Sequence, residues 1–323
     1  MHGPPKILLF AIYYPVIAAI GIPANVAVIW ILCRRRCGLS GCITLYLLSM
    51  AVTDLLVLIT AVVLNRVVAM NSPANPLTFY PLCKVNFVLV YAVRDCSVWT
   101  TVVFTFDRFV AICCHKLKAT YCRERMAAAV VATVCALSSF KSAFLYFTFE
   151  PLAKGEATLC KIKPSFYTSP AWVAFDWIDS ILTPCLPFVL ILLLNFLTVR
   201  HILRAISTRR RLRGNEDREC QSDPETESRR RSIVLLLSIS GLFILLWLLV
   251  FITFLYIRIA SVTYFSGSNF NESNFLLEES GYMLQFLCSC ANPFIYAGTQ
   301  NRFRAELKLG LKYPLSLIGK LRK

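Results

Sequence analysis

The sequence predicts an all-α fold: a bundle of seven transmembrane helices, followed by a short amphipathic eighth helix on the inner leaflet. Three observations carry this. The 323 residues are 57% hydrophobic and only 16% charged, with a mean hydropathy of +0.62, whereas soluble domains run nearer a quarter charged. The apolar residues fall in long blocks rather than at amphipathic spacing, and a block of about 20 is what ~30 Å of hydrocarbon demands. The basic residues are also unevenly divided between the two sets of loops that those blocks define. Arg34–Arg36, Lys116, Lys118, Arg123, Arg125, Arg209–Arg211, Arg229–Arg231 and the carboxy-terminal tail lie on one side. Lys6, Arg66, Lys84, Lys154, Lys161, Lys163 and Arg258 lie on the other. By the positive-inside rule the amino terminus is outside and the tail is cytoplasmic.

Each span has its own marks. The first, 7–33, carries Pro15, Gly21, Pro23 and a single polar residue, Asn25. The second, 42–64, has one charge, Asp54, near its middle. The third, 83–113, holds Arg94–Asp95 and, at its inner end, Asp107–Arg108. The fourth, 126–149, contains Lys141; the fifth, 171–202, has Asp176 and Asp179 in its outer half, then Pro184 and Pro187. The sixth, 232–257, is uncharged and contains Trp247. The seventh, 275–297, begins with Glu278 and Glu279 and ends in Asn292-Pro293-Phe294-Ile295-Tyr296. Over 301–312, Phe303, Leu307 and Leu311 recur every fourth position among Arg302, Arg304, Lys308 and Lys312, the pattern of a helix lying on the membrane surface with snorkelling cations. The chain thus divides into an outer terminus, 1–6, a membrane domain, 7–300, and an amphipathic helix with a cytoplasmic tail, 301–323. The polar stretch Ser207–Arg231 reads as a cytoplasmic loop with helical ends.

Topology sorts the rest. Of 14 cysteines, Cys83 and Cys160 are the two at the outer boundary, where an oxidising compartment permits a disulfide between them. Asn271-Glu272-Ser273 is a glycosylation sequon in an outer loop. The first apolar block is too long for a cleavable signal peptide and ends in Arg34–Arg36, so it reads as a signal anchor. The net charge of +16 follows topology, and no nucleic-acid partner is expected.

The motifs on these spans resemble those of rhodopsin-like (class A) G-protein-coupled receptors. They are Asn25, Leu47-x-x-Ala51-x-x-Asp54, Asp107-Arg108-Phe109, Pro187, Trp247 with Phe243 one turn before it, and Asn292-Pro293-x-x-Tyr296. Cys83 stands twenty-five positions before Arg108, the family's spacing. The resemblance implies a plasma-membrane receptor in which an extracellular ligand activates a heterotrimeric G protein, with arrestin and lipid as further partners and no cofactor beyond a bound sodium ion. Asp107, Arg108, Phe109, Trp247, Asn292, Pro293 and Tyr296 would carry activation. Within the family, Trp99–Cys113 and Leu182-Thr183-Pro184-Cys185 look most like the orphan receptor 139 subgroup, which implies sensing of aromatic amino acids and coupling through Gq. The chain departs from the family's pattern in several places. The fourth span has no tryptophan and Trp247 is followed by leucines rather than by the kink proline. Phe109 replaces a tyrosine, Asn195 stands where a tyrosine is common, and Arg229 stands where many relatives place an acid that locks the arginine.

An ionisable group within the membrane costs several kcal/mol unless paired or hydrated, which makes each a candidate site. Asp54 is either a polar anchor between helices or a sodium or proton site with Asn25, Ser97, Ser289 and Asn292, oxygen donors suited to a hard monovalent cation. Arg94 and Asp95 are about 100° apart on a helix, which points them in different directions. Tyr91, Arg94, Asp95, Asp179, Trp247, Phe251 and Glu278 are the candidate ligand-binding residues. Arg94 would take a carboxylate and an acid an ammonium, as in an amino-acid-like or peptide ligand. The alternative is an ion-pair network that only fixes helix register. Lys141 is expected to snorkel. Val90, where an aminergic receptor has an acid, argues against a simple amine.

An enzyme is not expected: His2, His115 and His201 lie in the terminus or at the inner face, without HExxH or paired catalytic aspartates. A transporter or channel, the alternative function, would predict internal repeats or matched broken helices, and no repeat is visible. A light sensor would need a lysine in the seventh span, which has none.

Overall fold

The computed structural model describes residues 5–68, 76, 79–154, 157–213, 224–259 and 273–310. Seven long helices form the bundle. They are α1 (Pro5–Cys33), α2 (Gly41–Val57, continued as a π-helix over Leu58–Val68), α3 (Leu82–Cys113) and α4 (Glu124–Ala143, closed by a 3₁₀ turn over Phe144–Thr148), then α5 (Pro170–Ser180, Ile181–Cys185 and Leu186–Arg213), α6 (Pro224–Ile259) and α7 (Ser273–Thr299). An eighth helix, α8, covers 301–310. The sequon position Asn271 lies outside the described residues. Among the described residues six helices are long and apolar enough to cross a membrane; α7, at 27 residues, has the length, but Glu278, Glu279, Gln285 and Asn292 dilute its apolar content.

Hydrocarbon offers the backbone no partner, so helices that satisfy every N–H internally are the stable solution. The hydroxyls follow the same rule by bonding back to their own helix. Thr53 donates to Ser49 O, Thr100 to Cys96 O, Thr105 to Thr101 O and Thr198 to Leu194 O. Apolar side chains face outward as well as inward: Leu9, Ile12, Val16 and Ile20 run down the exposed side of α1, a stripe at helical spacing that suits lipid. The helices approach closely at Gly21, where a Cβ would stand 2.7 Å from Leu58 and 3.2 Å from Cys290 Sγ. A small residue there lets α1 pack closely on α2 and α7. Beyond α1, Gly38 turns the chain at φ +65° beneath Arg302, and Ser40 caps α2 by accepting from Ile43 N.

Among the described residues the interior has three apolar clusters. One joins α1, α2, α3, α6 and α7 at the Arg108 end, around Tyr46, Phe104, Leu236 and Tyr296, and α8 docks Phe303 into it. A second joins α1, α2 and α7 around Tyr14, Leu58 and Phe286. The third lies between α3, α5 and α6, around Val98, Phe188, Phe243 and Trp247. At the opposite end from Arg108 the chain departs from the all-helical expectation: Phe149–Lys154 and Ala157–Ile162 form an antiparallel hairpin, β1–β2, with Pro151 opposite Cys160. The Cys83–Cys160 disulfide ties β2 to the first turn of α3. Phe149, which opens β1, packs edge-on against Phe87 of α3 at 4.6 Å. The hairpin is thereby pinned beside the mouth of the bundle.

Candidate functional site

Among the described residues four polar sites interrupt the apolar interior, and each is built from residues on different helices. The first is a cavity of about 190 Å³ at the disulfide end, lined from α3, the hairpin, α5, α6 and α7. Tyr91, Arg94, Asp179, Trp247 and Glu278, all expected there from the sequence, line it. Asp176, Gln285 and Tyr282 line it too. Two expected residues do not. Phe251 turns aside to stack on Phe188 of α5 at 4.7 Å and 10°, leaving its neighbour Val250 on the wall. Asp95 is 0% exposed and lies behind Arg94, facing α4.

That placement builds the ion-pair network that the sequence left open, with Lys141 as an added member. Arg94 donates to Asp95 Oδ1 from Nε at 3.2 Å and from Nη2 at 3.1 Å. Nη2 is also 3.7 Å from Asp179 Oδ2. Lys141 of α4 lies 2.6 Å from Asp95 Oδ2 and donates to Asp179 Oδ1. Two cations therefore bridge two carboxylates across α3, α4 and α5. Two expectations are corrected here. Lys141 does not snorkel, because buried Asp95 and half-buried Asp179 hold it inside. Arg94 and Asp95 do meet, because the long arginine arm bends around the helix although their Cβ directions diverge. Arg94 also lies 4.2 Å over the Tyr91 ring, a cation–π contact. The signal for this cluster was available: a lysine within a span is costly unless paired, and Asp179 was the acid to test.

A second ion pair, unforeseen, lies between α2 and α7. Glu279, 5% exposed, accepts from Tyr14 Oη and lies 3.1 Å from Arg66. Glu278, one step around the helix, faces the cavity and accepts from Tyr282 Oη at 3.2 Å.

Deeper in the bundle, Asp54 of α2 is 1% exposed. Its Oδ1 accepts from Ser97 Oγ and its Oδ2 from Asn292 Nδ2, each at 2.7 Å. A small cavity of about 10 Å³ adjoins it, lined also by Ser289, Trp247, Gln285 and Arg94. Asn25 does not join this group. Its amide donates to the backbone oxygens of Gly21 and Ser289 at 2.9 and 3.0 Å, clamping α1 to α7 instead.

At the far end of α3, Arg108 is 4% exposed. It is held by Asp107 through Nε at 2.9 Å and through Nη2, while Nη1 reaches Ser232 Oγ of α6 at 3.4 Å. Cys42 donates to Asp107 Oδ1 at 3.2 Å, and Cys122, in the segment joining α3 to α4, contacts Asp107 O at 3.8 Å. Burial, followed by the neighbouring Asp107 charge, pushes the Cys122 thiol up to about 11. Tyr296 is buried at the end of α7, edge-on to Phe303 of α8, and Phe109 is half-buried beside Arg108. Pro293 lies inside α7, and Trp247 stacks on Phe243 at 5.2 Å, linking the cavity floor to the α3–α5–α6 cluster. The side chain of Arg229 is not described.

The family model for the 7 transmembrane receptor (rhodopsin family) matches residues 24–296. Among curated relatives, tachykinin-like peptides receptor 86C of Drosophila melanogaster is 25% identical over 92% of this chain and 57% of its own length. G-protein coupled receptor 182 of Rattus norvegicus is 26% identical over 94% of this chain and 71% of its own. Somatostatin receptor type 4 of the same species is 24% identical over 91% and 70%. The chain thus spans little more than half the length of the first of these. The narrower resemblance to the orphan 139 subgroup finds no support in these matches.

Proposed function

The chain belongs to the rhodopsin family of seven-transmembrane receptors, multi-pass membrane proteins that are signalling receptors rather than enzymes, and from that premise we propose its particular role. It is a plasma-membrane receptor with the disulfide end extracellular and the Arg108 end cytoplasmic. It binds an amino-acid-like or peptide ligand in the cavity behind the β1–β2 hairpin and activates a heterotrimeric G protein, through Gq. The names of two relatives, receptors for tachykinin-like peptides and for somatostatin, favour a peptide among these ligands. Arrestin and membrane lipid are its further partners.

The observation that carries this reading is the continuity of α6. Trp247 lines the cavity, and the same helix presents Ser232 to Arg108 at the other end. A ligand that binds one packing of Trp247 better than another shifts α6 by its differential affinity for the two states. Movement of Ser232 away from α3 would then release Arg108 toward the G protein. A second-messenger screen in transfected cells against amino acids and short peptides, reading calcium and cyclic AMP, tests it. Arg94→Gln should lower the potency of any agonist found, at normal surface expression. Unchanged potency would leave Arg94 with a purely structural role, and a silent receptor that fails to drive nucleotide exchange on purified Gq would remove the coupling.

A further inference from the structure

Four carboxylates are buried among the described residues: Asp54, Asp95, Asp107 and Glu279. Three meet a cation. Asp95 has Arg94 and Lys141, Asp107 has Arg108, and Glu279 has Arg66. Asp54 receives hydrogen bonds from neutral donors, Ser97 and Asn292. A carboxylate buried in a low-dielectric interior is costly without positive charge nearby, so the source of charge available to Asp54 decides how this site behaves.

The walls of the two cavities supply a source. Arg94, Trp247 and Gln285 line both the large cavity and the small one beside Asp54, and Arg94 is the cation on the wall of the small one among the described residues. Arg94 stands three residues before Ser97 on α3, hence on the same helix face, and Ser97 Oγ is itself 2.7 Å from Asp54. The separation along the helix is less than one turn of ~5.4 Å, which an arginine side chain spans. At about 10 Å³ the small cavity has room for roughly one particle the size of water. One terminal N–H group of the guanidinium reaching into it and a free cation cannot share it.

We infer that Arg94 is a tethered cation that competes with a free monovalent cation for Asp54. Its two positions are set by the ligand cavity: bonded to Asp95 and Asp179, as seen here, or turned toward Asp54. A ligand group that engages Arg94, or that takes Asp179 from it, changes which cation Asp54 receives. The inference deepens the receptor reading, since it makes occupancy of the Asp54 site a function of the charge of the ligand. Its test does not depend on that reading.

The probe is sodium itself. The purified receptor is unfolded thermally across a sodium chloride series, with N-methyl-D-glucamine chloride holding ionic strength constant. Removing the competitor by Arg94→Gln should lower the half-maximal sodium concentration for stabilisation, by about twofold if Arg94 spends half its time at Asp54 without sodium. Adding Asp54→Asn should abolish the gain. A wild-type receptor that binds sodium as tightly as the variant overturns the inference. So does a variant that gains no sodium response, or one whose response survives Asp54→Asn. Should Arg94→Gln fold poorly, Arg94→Gln with Asp95→Asn removes one charge of each sign, leaves Lys141 on Asp179, and is read the same way. Nucleotide exchange on purified G protein, run on the same preparations, reports separately on the receptor reading, so the two failures are distinguishable.

Discussion

Replacing Lys141 by methionine isolates the energetics of the ion cluster. The substitution keeps most of the side-chain length and removes the one charge contributed by α4. In the intact cluster Asp95 has Lys141 at 2.6 Å and Arg94 at 3.1 Å, while Asp179 has Lys141 and, at 3.7 Å, Arg94. Without Lys141 a single guanidinium must serve two carboxylates. Solvent offers little relief, because the side chains of Lys141, Asp95 and Asp179 are 16%, 0% and 13% exposed. Breaking a buried ion pair by removing one partner costs about 3–5 kcal/mol. At about 2 °C per kcal/mol for a chain of this size, the unfolding midpoint should fall by roughly 6–10 °C. The assay is fluorescence-monitored thermal unfolding of the detergent-purified receptor. The control is Lys141→Met with Asp95→Asn, which removes one charge of each sign and should recover most of the loss, since an ion pair replaced as a whole is often nearly neutral. A single variant within about 2 °C of wild type would refute the buried-charge argument. A double variant as unstable as the single one would assign the loss to packing around the lysine stem instead.

Three further outcomes are expected. Cys83→Ser should cost about 2–4 kcal/mol of stability and reduce surface expression, and peptide mapping of the wild-type protein that found Cys83 and Cys160 as free thiols would refute the pairing. Arg108 has Asp107 and Ser232 as its side-chain hydrogen-bond partners among the described residues, so basal signalling should be measurable. Arg229→Glu, by adding an acid to α6 near that end, should lower it about fivefold for a coupling near 1 kcal/mol, and indifference of basal second messenger to the change would contradict this. Alanine at Ser222, Thr226 and Ser228 together should abolish agonist-dependent arrestin recruitment, because phosphate there adds charge beside Arg229–Arg231. Recruitment that survives the triple change would move the arrestin site elsewhere.

The spans were legible because hydrocarbon dictates both the length and the composition of a helix that crosses it. Among the described residues six helices satisfy those demands unaided. The seventh is recognisable by Asn292-Pro293-x-x-Tyr296 rather than by hydropathy, because its polar residues serve the interior: Asn292 bonds Asp54, Glu279 bonds Arg66 and Gln285 lines both cavities. The hairpin was not legible, since β1 and β2 carry no alternating pattern and are held by a disulfide and by Phe149 on Phe87.

Partners were harder to read than positions, for a geometric reason. Helical phase locates a Cβ to within a fraction of a turn, but a long side chain ends some way from its Cβ. Phase therefore separates Arg94 from Asp95, and the guanidinium rejoins them. Phase sends Lys141 toward lipid or the interior without preference, and two acids decide it. For a short side chain the same reasoning fails differently. Asn25 points into the bundle as expected, yet its amide is used by backbone oxygens of α1 and α7 before it can reach Asp54. The cost of an unpaired charge in the membrane says only that each charge has a partner. Choosing among partners requires knowing where side chains end, and in this receptor the choices fall on the two residues with the longest reach, Arg94 and Lys141. That is why the charge cluster, and the access of Arg94 to both cavities, emerge from the packed bundle and not from the order of residues along it.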